Sequence, residues 1–320
     1  MNLAANHLLT TLYARHTYAS WDELATAAGL SREAVRRALD TLQARGVVID
    51  DSPAGVRLRR PVGLDAHLIE HELGTFRVGR NAIVFGEVES TSDVALDSAR
   101  QAGADGLVVL AERQRAGRGR LGRRWASPAG ANVLMSVLLL DDPERLSGEA
   151  VTIAAGLAVA EAVERAVPVS ARLKWPNDVL IDDAKVCGIL VEVRRRPRRA
   201  VVVGIGINVN AAPPPEACRC PAACLADHAQ GPLERIDLIR DVLRTLDAWV
   251  GQITDDGDVT RRLHDQWLAR CGMMNQRVTV RSGSEQFTGR VLDIDPLEGL
   301  ILQTDTGQQL RLPAATSSVE

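Results

Sequence analysis

The stretch 111–125, AERQRAGRGRLGRRW, sets Arg113, Arg115, Arg118, Arg120, Arg123 and Arg124 among Gly117, Gly119 and Gly122. Guanidinium forks match phosphate or carboxylate oxygens in pairs, and glycine lets a backbone approach a ligand closely. Such a segment cannot pack as a core element, because its arginines need anionic partners or water. It lies between two apolar, strand-like runs, GLVVL at 106–110 and VLMSVLLL at 133–140. A glycine–arginine loop carried by two buried strands is well built to fold over an anionic ligand. By itself it is equally a solvated loop or a basic nucleic-acid contact, since glycine–arginine clusters are not a specific signature.

Four shorter motifs accompany it: ESTS at 89–92, LKWPND at 173–178, KVCGIL at 185–190 and GIGIN at 204–208. They supply Lys174, Asp178 and Lys185, groups able to balance charge on phosphates or to orient an amine. The chain shows no G-x-S-x-G, no Cys–His pair placed for attack and no Walker A sequence, so no enzyme nucleophile or P-loop is expected. Taken singly, GIGIN reads as a strand with a close backbone approach, and Lys185, after Asp182-Asp183, as a surface hairpin lysine.

In order and spacing these motifs closely resemble the catalytic domain of bacterial biotin protein ligases, strongly over about 81–210 and more loosely in the flanks. The resemblance implies a reaction in which the biotin carboxylate attacks the α-phosphate of ATP. That gives biotinyl-5′-AMP and pyrophosphate, and an acceptor lysine amine then attacks the activated carbonyl. It places Arg118 and Arg120 at the phosphates, with Arg123 or Arg124 as neighbours, and Gly117 and Gly119 as the residues that let the loop fold over the adenylate and shield it. It assigns Lys185 to the biotin carboxylate and adenylate phosphate, Lys174 to the phosphates, and Asp178 to the acceptor amine or a magnesium ion, with Trp175-Pro176 positioning the loop. Ser90, Thr91 and Gln114, with backbone at Arg118 and Gly188, are implied at biotin. Ser92 stands where an asparagine is common, so its side-chain contact is in question while a backbone contact could survive. Asn208 is implied near the adenine, with Gly204 and Gly206 permitting tight packing. Biotin and ATP, with Mg2+, are substrates; no protein-held metal is expected.

These side chains need a scaffold, and the rest of the chain describes one. With 320 residues, 46% hydrophobic and 25% charged, it has material for two or three domains and a sizeable core, filled by aliphatic residues because aromatics are 3%. A net charge of −3 excludes a global basic field. The expected class is α+β. A winged helix-turn-helix occupies 1–62, a linker with some helical character 63–80, a mixed β-sheet with helices 81–270, and an SH3-like barrel 271–320. The resemblance identifies the central fold as that of the biotin and lipoate ligases, similar to class II aminoacyl-tRNA synthetases.

In the first domain, helices are expected over 4–15, over 21–28 behind the Ser20/Glu23 capping box, and over 32–45 behind Ser31. Arg32, Arg36, Arg37 and Gln43 face outward on the third. A hairpin wing follows, with strands at 47–50 and 56–60 and a turn at 51–55, carrying Arg57, Arg59 and Arg60 for phosphate contacts. DNA binding is the better reading of this face; the alternative is a helical protein-interaction module with a solvated basic surface. The segment also resembles the DNA-binding domain of bifunctional ligases that repress biotin-synthesis genes.

Strands are expected at 82–87, 106–111, 132–140, 171–175, 179–182, 185–193 and 200–208, with helices at 92–101 and 148–166. Two more helices are expected at 233–250 and 259–270. RRRPRR at 194–199 reads as an exposed hairpin tip, or a weaker nucleic-acid patch. Cys218, Cys220 and Cys224 cluster in a Pro/Ala-rich loop; with His228 they could make a zinc set, but the spacing is that of no known finger and they read as loop cysteines. Five cysteines without framework spacing point to a reducing compartment, and no signal peptide or run of about 18 apolar residues is present, so a cytoplasmic location without membrane contact is expected. Implied partners are a biotin carboxyl carrier protein, operator DNA and a second copy of the chain when biotinyl-5′-AMP is bound. The competing functions are a biotin-sensing DNA-binding repressor without ligase activity and a lipoate-type ligase.

Overall fold

The computed structural model describes residues 3–140, 146–195, 199–253, 257–295 and 299–319. Three helices open the chain: α1 Leu3–Tyr13, α2 Trp21–Ala28 and α3 Arg32–Ala44. Their ends are set by local chemistry. The Ser20 hydroxyl accepts from the Glu23 amide at 3.3 Å, while the Ser20 amide donates to Glu23 Oε2 at 2.7 Å. Gly29 closes α2 in the left-handed conformation, and the Ser31 hydroxyl caps α3 by accepting from Ala34. Leu8, Leu9, Leu12, Leu24, Val35, Leu39 and Leu42 form the buried centre of this domain.

The wing is β1 Ile49–Ser52 paired antiparallel with β2 Gly55–Leu58. Its turn is tighter than the expected 51–55, because Asp51 and Ser52 pair with Val56 and Gly55, leaving only Pro53 and Ala54 at the tip. Arg60 does not extend the wing's basic face. Its guanidinium donates to the carbonyls of Tyr13, the last residue of α1, and of Arg15 just beyond it, to Glu234 at 3.0 Å, and lies over the Tyr13 ring. A helix C-terminus leaves carbonyls in need of donors, and Arg60 meets that need where the first domain joins the second.

Segment 63–80 is packed rather than extended. It contains α4 Ala66–Glu70, capped by Asp65, and buries Leu68, Ile69, Leu73 and Val78. The amides of Phe76, Arg77 and Val78 all donate to the buried Asp247 carboxylate at 2.8–2.9 Å.

The central sheet comprises β3 Ala82–Phe85, β4 Val108–Ala111, β5 Val133–Leu139, β6 Arg172–Lys174, β7 Asp178–Ile181, β8 Ala184–Arg194 and β9 Ala200–Ile207. Its order is β3-β4-β5-β9-β8-β7-β6, with β3 and β4 parallel and the other pairs antiparallel, a mixed sheet as expected. Helix α5, Thr91–Ser98, packs on β4, β5 and β9. Helix α6, Gly148–Ala166, is buried along most of its length between the sheet and α7, Arg235–Gln252. An alanine-rich face suits that position, since small side chains let a helix lie close to its neighbours. Helix α8 spans Gly257–Arg270. Strands β8 and β9 pair out to Arg194 and Ala200; of RRRPRR, read as an exposed hairpin tip, residues 196–198 lie outside the described residues.

The C-terminal strands are β10 Arg277–Ser282, β11 Glu285–Asp295, β12 Gly299–Thr304, β13 Gln309–Leu312 and β14 Ser317–Val319, an antiparallel SH3-like sheet in the order β13-β12-β11-β10-β14. Strand β14, the polar SSV, is one the sequence pattern did not mark.

One buried pair joins these layers. Arg235, 4% exposed, donates to both Glu112 oxygens at 2.5 and 3.0 Å and to the Asn132 carbonyl, while Glu112 also accepts from Leu64 N. Glu112 is 27% exposed, but removing it leaves the buried Arg235 charge uncompensated. Glu112→Ala is therefore expected to lower stability by about 3 kcal/mol, read by urea unfolding. A loss under a third of that would show that water reaches Arg235. No helix among the described residues is long and apolar enough to cross a membrane.

Candidate active site

A cavity of about 710 Å³ opens over the strands β5, β9 and β8, between the start of α5 and the glycine–arginine loop. Ser90, Thr91, Ser92, Gln114, Arg118, Arg120, Lys174, Asp178, Lys185, Gly188, Gly206 and Asn208 all line it, with Gly119 in the loop wall, while Trp175 and Pro176 do not. Gly117 is buried just behind, where a Cβ would meet the Trp125 carbonyl at 3.0 Å and Gln114 Nε2 at 3.2 Å.

At one end the cavity is polar but neutral. Gln114 Oε1 accepts from both the amide and the hydroxyl of Thr91, at 2.8 and 3.0 Å. The Thr91 hydroxyl also bonds Ser136 Oγ at 2.8 Å, and Ser92 Oγ bonds the same atom at 3.1 Å. With its carbonyl oxygen fixed, Gln114 can aim its NH2 elsewhere. Ser136, fully buried on β5, was not foreseen; it sits inside VLMSVLLL, where one serine among apolar residues carries no visible signal. Ser92 keeps a side-chain role by joining this network.

The loop is a folded hairpin. Trp125 N donates to Gly117 O, Arg118 and Arg124 form a backbone bridge, Gly119 N donates to Arg123 O, and a 3-10 turn over Arg120–Gly122 closes it. Leu121 takes a left-handed backbone there, with φ of 55°. The hairpin lays the Trp125 indole across the sheet. Gly188 and Gly206 are paired across β8 and β9, and a Cβ on either would come within 2.8 or 2.4 Å of that ring. The two glycines are there because the indole needs their space.

At the other end lie the charges. Lys185 Nζ is 2.6 Å from Asp178 Oδ1 and 5.5 Å from the Trp125 ring centre. Arg120 donates to Asn177 Oδ1 and, from the other side, to the carbonyls of Ala314 and Ser317, so the C-terminal sheet helps hold it. Burial pulls the Arg120 guanidinium below its ordinary value, and the Asp178 charge counters that. Arg123 reaches Ser318 Oγ at 3.0 Å. Arg118 is turned differently: it donates to both Asp93 oxygens at 2.8 Å and to Glu192 at 3.1 Å, and hydrogen bonding to Asp93 is the main cause holding its pKa above the ordinary arginine value. Arg120, Arg123, Arg124, Lys174, Lys185 and Arg219 then face one lining carboxylate, Asp178. This wall is made for a polyanion.

The loop after β9 covers the charged end. Lys185 N donates to Pro221 O and Ala223 N to Lys185 O. Asn208, 1% exposed, donates to the Ala223 carbonyl at 3.1 Å, and its Oδ1 is buried without a partner. This arrangement divides the cysteines: Cys218 and Cys220 line the cavity, while the Cys224 thiol is buried beside Asp227.

Comparison with known proteins agrees with this geometry. Residues 84–210 match the biotin/lipoate A/B protein ligase family. Over 300 residues the chain is 31% identical to the bifunctional ligase/repressor BirA of Bacillus subtilis, covering 92% of both chains. The chain belongs to the biotin protein ligase family. Residues 5–57 match an HTH domain and 274–316 the biotin protein ligase C-terminal domain. The biotin–[acetyl-CoA-carboxylase] ligase of Mycobacterium tuberculosis is 35% identical over 246 residues, 75% of this chain and 89% of that one. The Aquifex aeolicus biotin protein ligase in complex with biotin and ATP superimposes with a TM-score of 0.64 at 26% identity, covering 75% of this chain and all of that one.

On the helix-turn-helix of this ligase-family chain, Arg32, Arg36, Arg37 and Arg59 are exposed and Arg57 is half-buried. Asp22 pairs with Arg32, Glu33 with Arg37, and Asp50 with both Arg57 and Arg59. Arg36 lies over the Trp21 ring. Exposed pairs of this kind are weak, so phosphates can take the carboxylates' place.

Proposed function

We propose that this chain activates biotin with ATP to biotinyl-5′-AMP and transfers the biotinyl group to a lysine of a carboxyl carrier protein. The observation that carries this reading is the two-ended cavity, neutral and hydrogen-bonding at Thr91, Gln114 and Ser136, cationic at Arg120, Arg123 and Lys185. A ureido head suits the first end. A lipoyl dithiolane offers no good acceptor for the Gln114 NH2, which argues against a lipoate-type substrate. The carboxylate then points to the charged end. Its oxygen attacks the α-phosphorus and pyrophosphate leaves; later the acceptor amine attacks the acyl carbon and AMP leaves.

In this scheme Lys185 and Arg120 stabilise charge on the carboxylate and phosphates, Lys174 assists there, and Asp178 orients Lys185 before it accepts the acceptor amine's hydrogen bond. The backbone of Arg118 and Gly188 flanks biotin, Gly117 and Gly119 give the loop its close approach, and the free Oδ1 of Asn208 is a partner for the adenine amino group. Mg2+ enters with the ATP phosphates and needs few protein ligands, and Asp178 is the lining carboxylate that could offer one.

The test is acceptor labelling by intact mass, with biotin, Mg-ATP and a carrier domain, beside Arg120→Gly. A gain of one biotin on one lysine is expected for the native chain, and a specific gain lost or sharply reduced in the variant. Retained biotin binding without any gain would leave the sensor-only repressor.

We also assign the N-terminal domain, taken as 1–62, to operator DNA, with 63–80 joining it to a catalytic domain of 81–270 and a C-terminal domain of 271–320. Arg36→Ala is expected to weaken duplex binding and reduce the salt slope by about 1, measured by titration at several salt concentrations. An unchanged slope would remove Arg36 from the interface. Two-fold operators call for a symmetric dimer, so adenylate-promoted dimerisation is part of this reading, and the same sedimentation coefficient with and without adenylate would count against it. The five free cysteines fit a reducing compartment such as the cytoplasm.

A further inference from the structure

Arg118 lies on the first arm of the hairpin, between Gly117 and Gly119, and its guanidinium is already paired. Nη1 donates to both Asp93 oxygens at 2.8 Å, and Nη2 reaches Glu192 Oε2 at 3.1 Å and Oε1 at 3.4 Å. One positive and two negative charges leave a local excess of negative charge, and a further anion there would be repelled. Arg118 is therefore unlike Arg120 and Lys185, which face the cavity beside a single lining carboxylate.

What the fork does is join three walls. Asp93 follows Ser92 in the first turn of α5, beside the neutral end of the cavity. Glu192 lies on β8, two residues beyond the lining residue Leu190. The hairpin's backbone continues from Arg118 through its bridge to Arg124 and on to Trp125, which covers Gly188 and Gly206. Two charge-assisted forks to two different elements fix orientation as well as distance. Both carboxylates are partly exposed, at 49% and 31%, so the contacts can open and re-form without unfolding the sheet.

We propose that Asp93 and Glu192, acting through Arg118, are positioning residues that latch the glycine–arginine hairpin over the acyl-adenylate and retain it until an acceptor arrives. This rests on the ligase reading above. Neither carboxylate touches the reacting atoms, so the latch governs release of the intermediate more than its formation.

The experiment uses the full chain with biotin and Mg-ATP. The protein-bound adenylate is isolated by rapid desalting, its release is followed by chromatography, and adenylate formation is measured in a single turnover. In Asp93→Asn/Glu192→Gln, release is expected to quicken roughly tenfold or more, while formation slows by much less and acceptor-independent labelling of bystander amines rises. Asp93→Glu, which keeps the charge, is expected to restore slow release, a recovery that general loosening of the fold would not give. If the double variant fails to fold, Glu192→Gln alone is expected to give an intermediate rate, with unfolding temperature as the check. Release at the native rate from a folded, adenylate-forming variant overturns the latch. Absence of adenylate in the native chain would instead overturn the ligase reading, a separate result.

Discussion

Lys185→Ala is expected to slow adenylate formation by roughly 10²- to 10³-fold, with the protein still folded. Lys185 lies on β8 with its ammonium 2.6 Å from Asp178, so the substitution does two things at once. It removes a cation from the place where charge builds on the phosphates, and it uncovers a carboxylate that repels the same phosphates. The two parts can be separated with a double variant. If the missing cation dominates, Lys185→Ala/Asp178→Ala is as slow as the single change. If the bare carboxylate dominates, the double variant recovers much of the rate. Single-turnover measurement of adenylate and pyrophosphate reads both. A loss below tenfold in the single variant would mean that Arg120 and Arg123 suffice.

The glycine–arginine loop could be recognised in the sequence because its composition suits neither core nor solvated helix, and neighbouring motifs restricted what it could bind. The helix-turn-helix was equally legible, since Ser20, Glu23, Gly29 and Ser31 are local signals whose effect lies within one turn. What escaped was decided by distant contacts. Ser136 looks like an interruption in an apolar strand until α5 brings Thr91 and Ser92 to it. Asp93 and Glu192 belong to none of the readings made from the sequence, because their partner Arg118 lies 25 and 74 residues away. Arg60 belongs by sequence to a basic wing, but the carbonyls at the end of α1 and Glu234 claim it. Strand β14 has neither apolar alternation nor length, and exists because β10 offers it an edge and Arg120 and Arg123 hold its carbonyl and hydroxyl groups. In each case the residue type is visible but its partner depends on the finished fold.

Gly206→Ala is expected to weaken biotin and ATP binding by about 1–3 kcal/mol, roughly 5- to 150-fold, while leaving the sheet intact. A Cβ at that position would lie 2.4 Å from Trp125 Cε2 and 2.7 Å from Cζ2 and Nε1, too close for any real contact. The strand cannot yield, because β9 is held on both sides by β5 and β8. The indole must therefore tilt upward, into the volume that ligand needs, and carry the 117–125 hairpin with it through the Trp125–Gly117 hydrogen bond. The compensating change follows from which atoms collide. Cε2 and Cζ2 belong to the six-membered ring of the indole and Nε1 to the five-membered ring, and phenylalanine, with one ring instead of two, fills less of that space. Gly206→Ala/Trp125→Phe is thus expected to bind better than Gly206→Ala alone, even though Trp125→Phe by itself removes covering surface and binds worse than the native chain. Isothermal titration of the four proteins closes the cycle. Additive losses would mean that the glycine serves the strand rather than the ring; a positive interaction between the two changes would show that glycine and indole act as one floor.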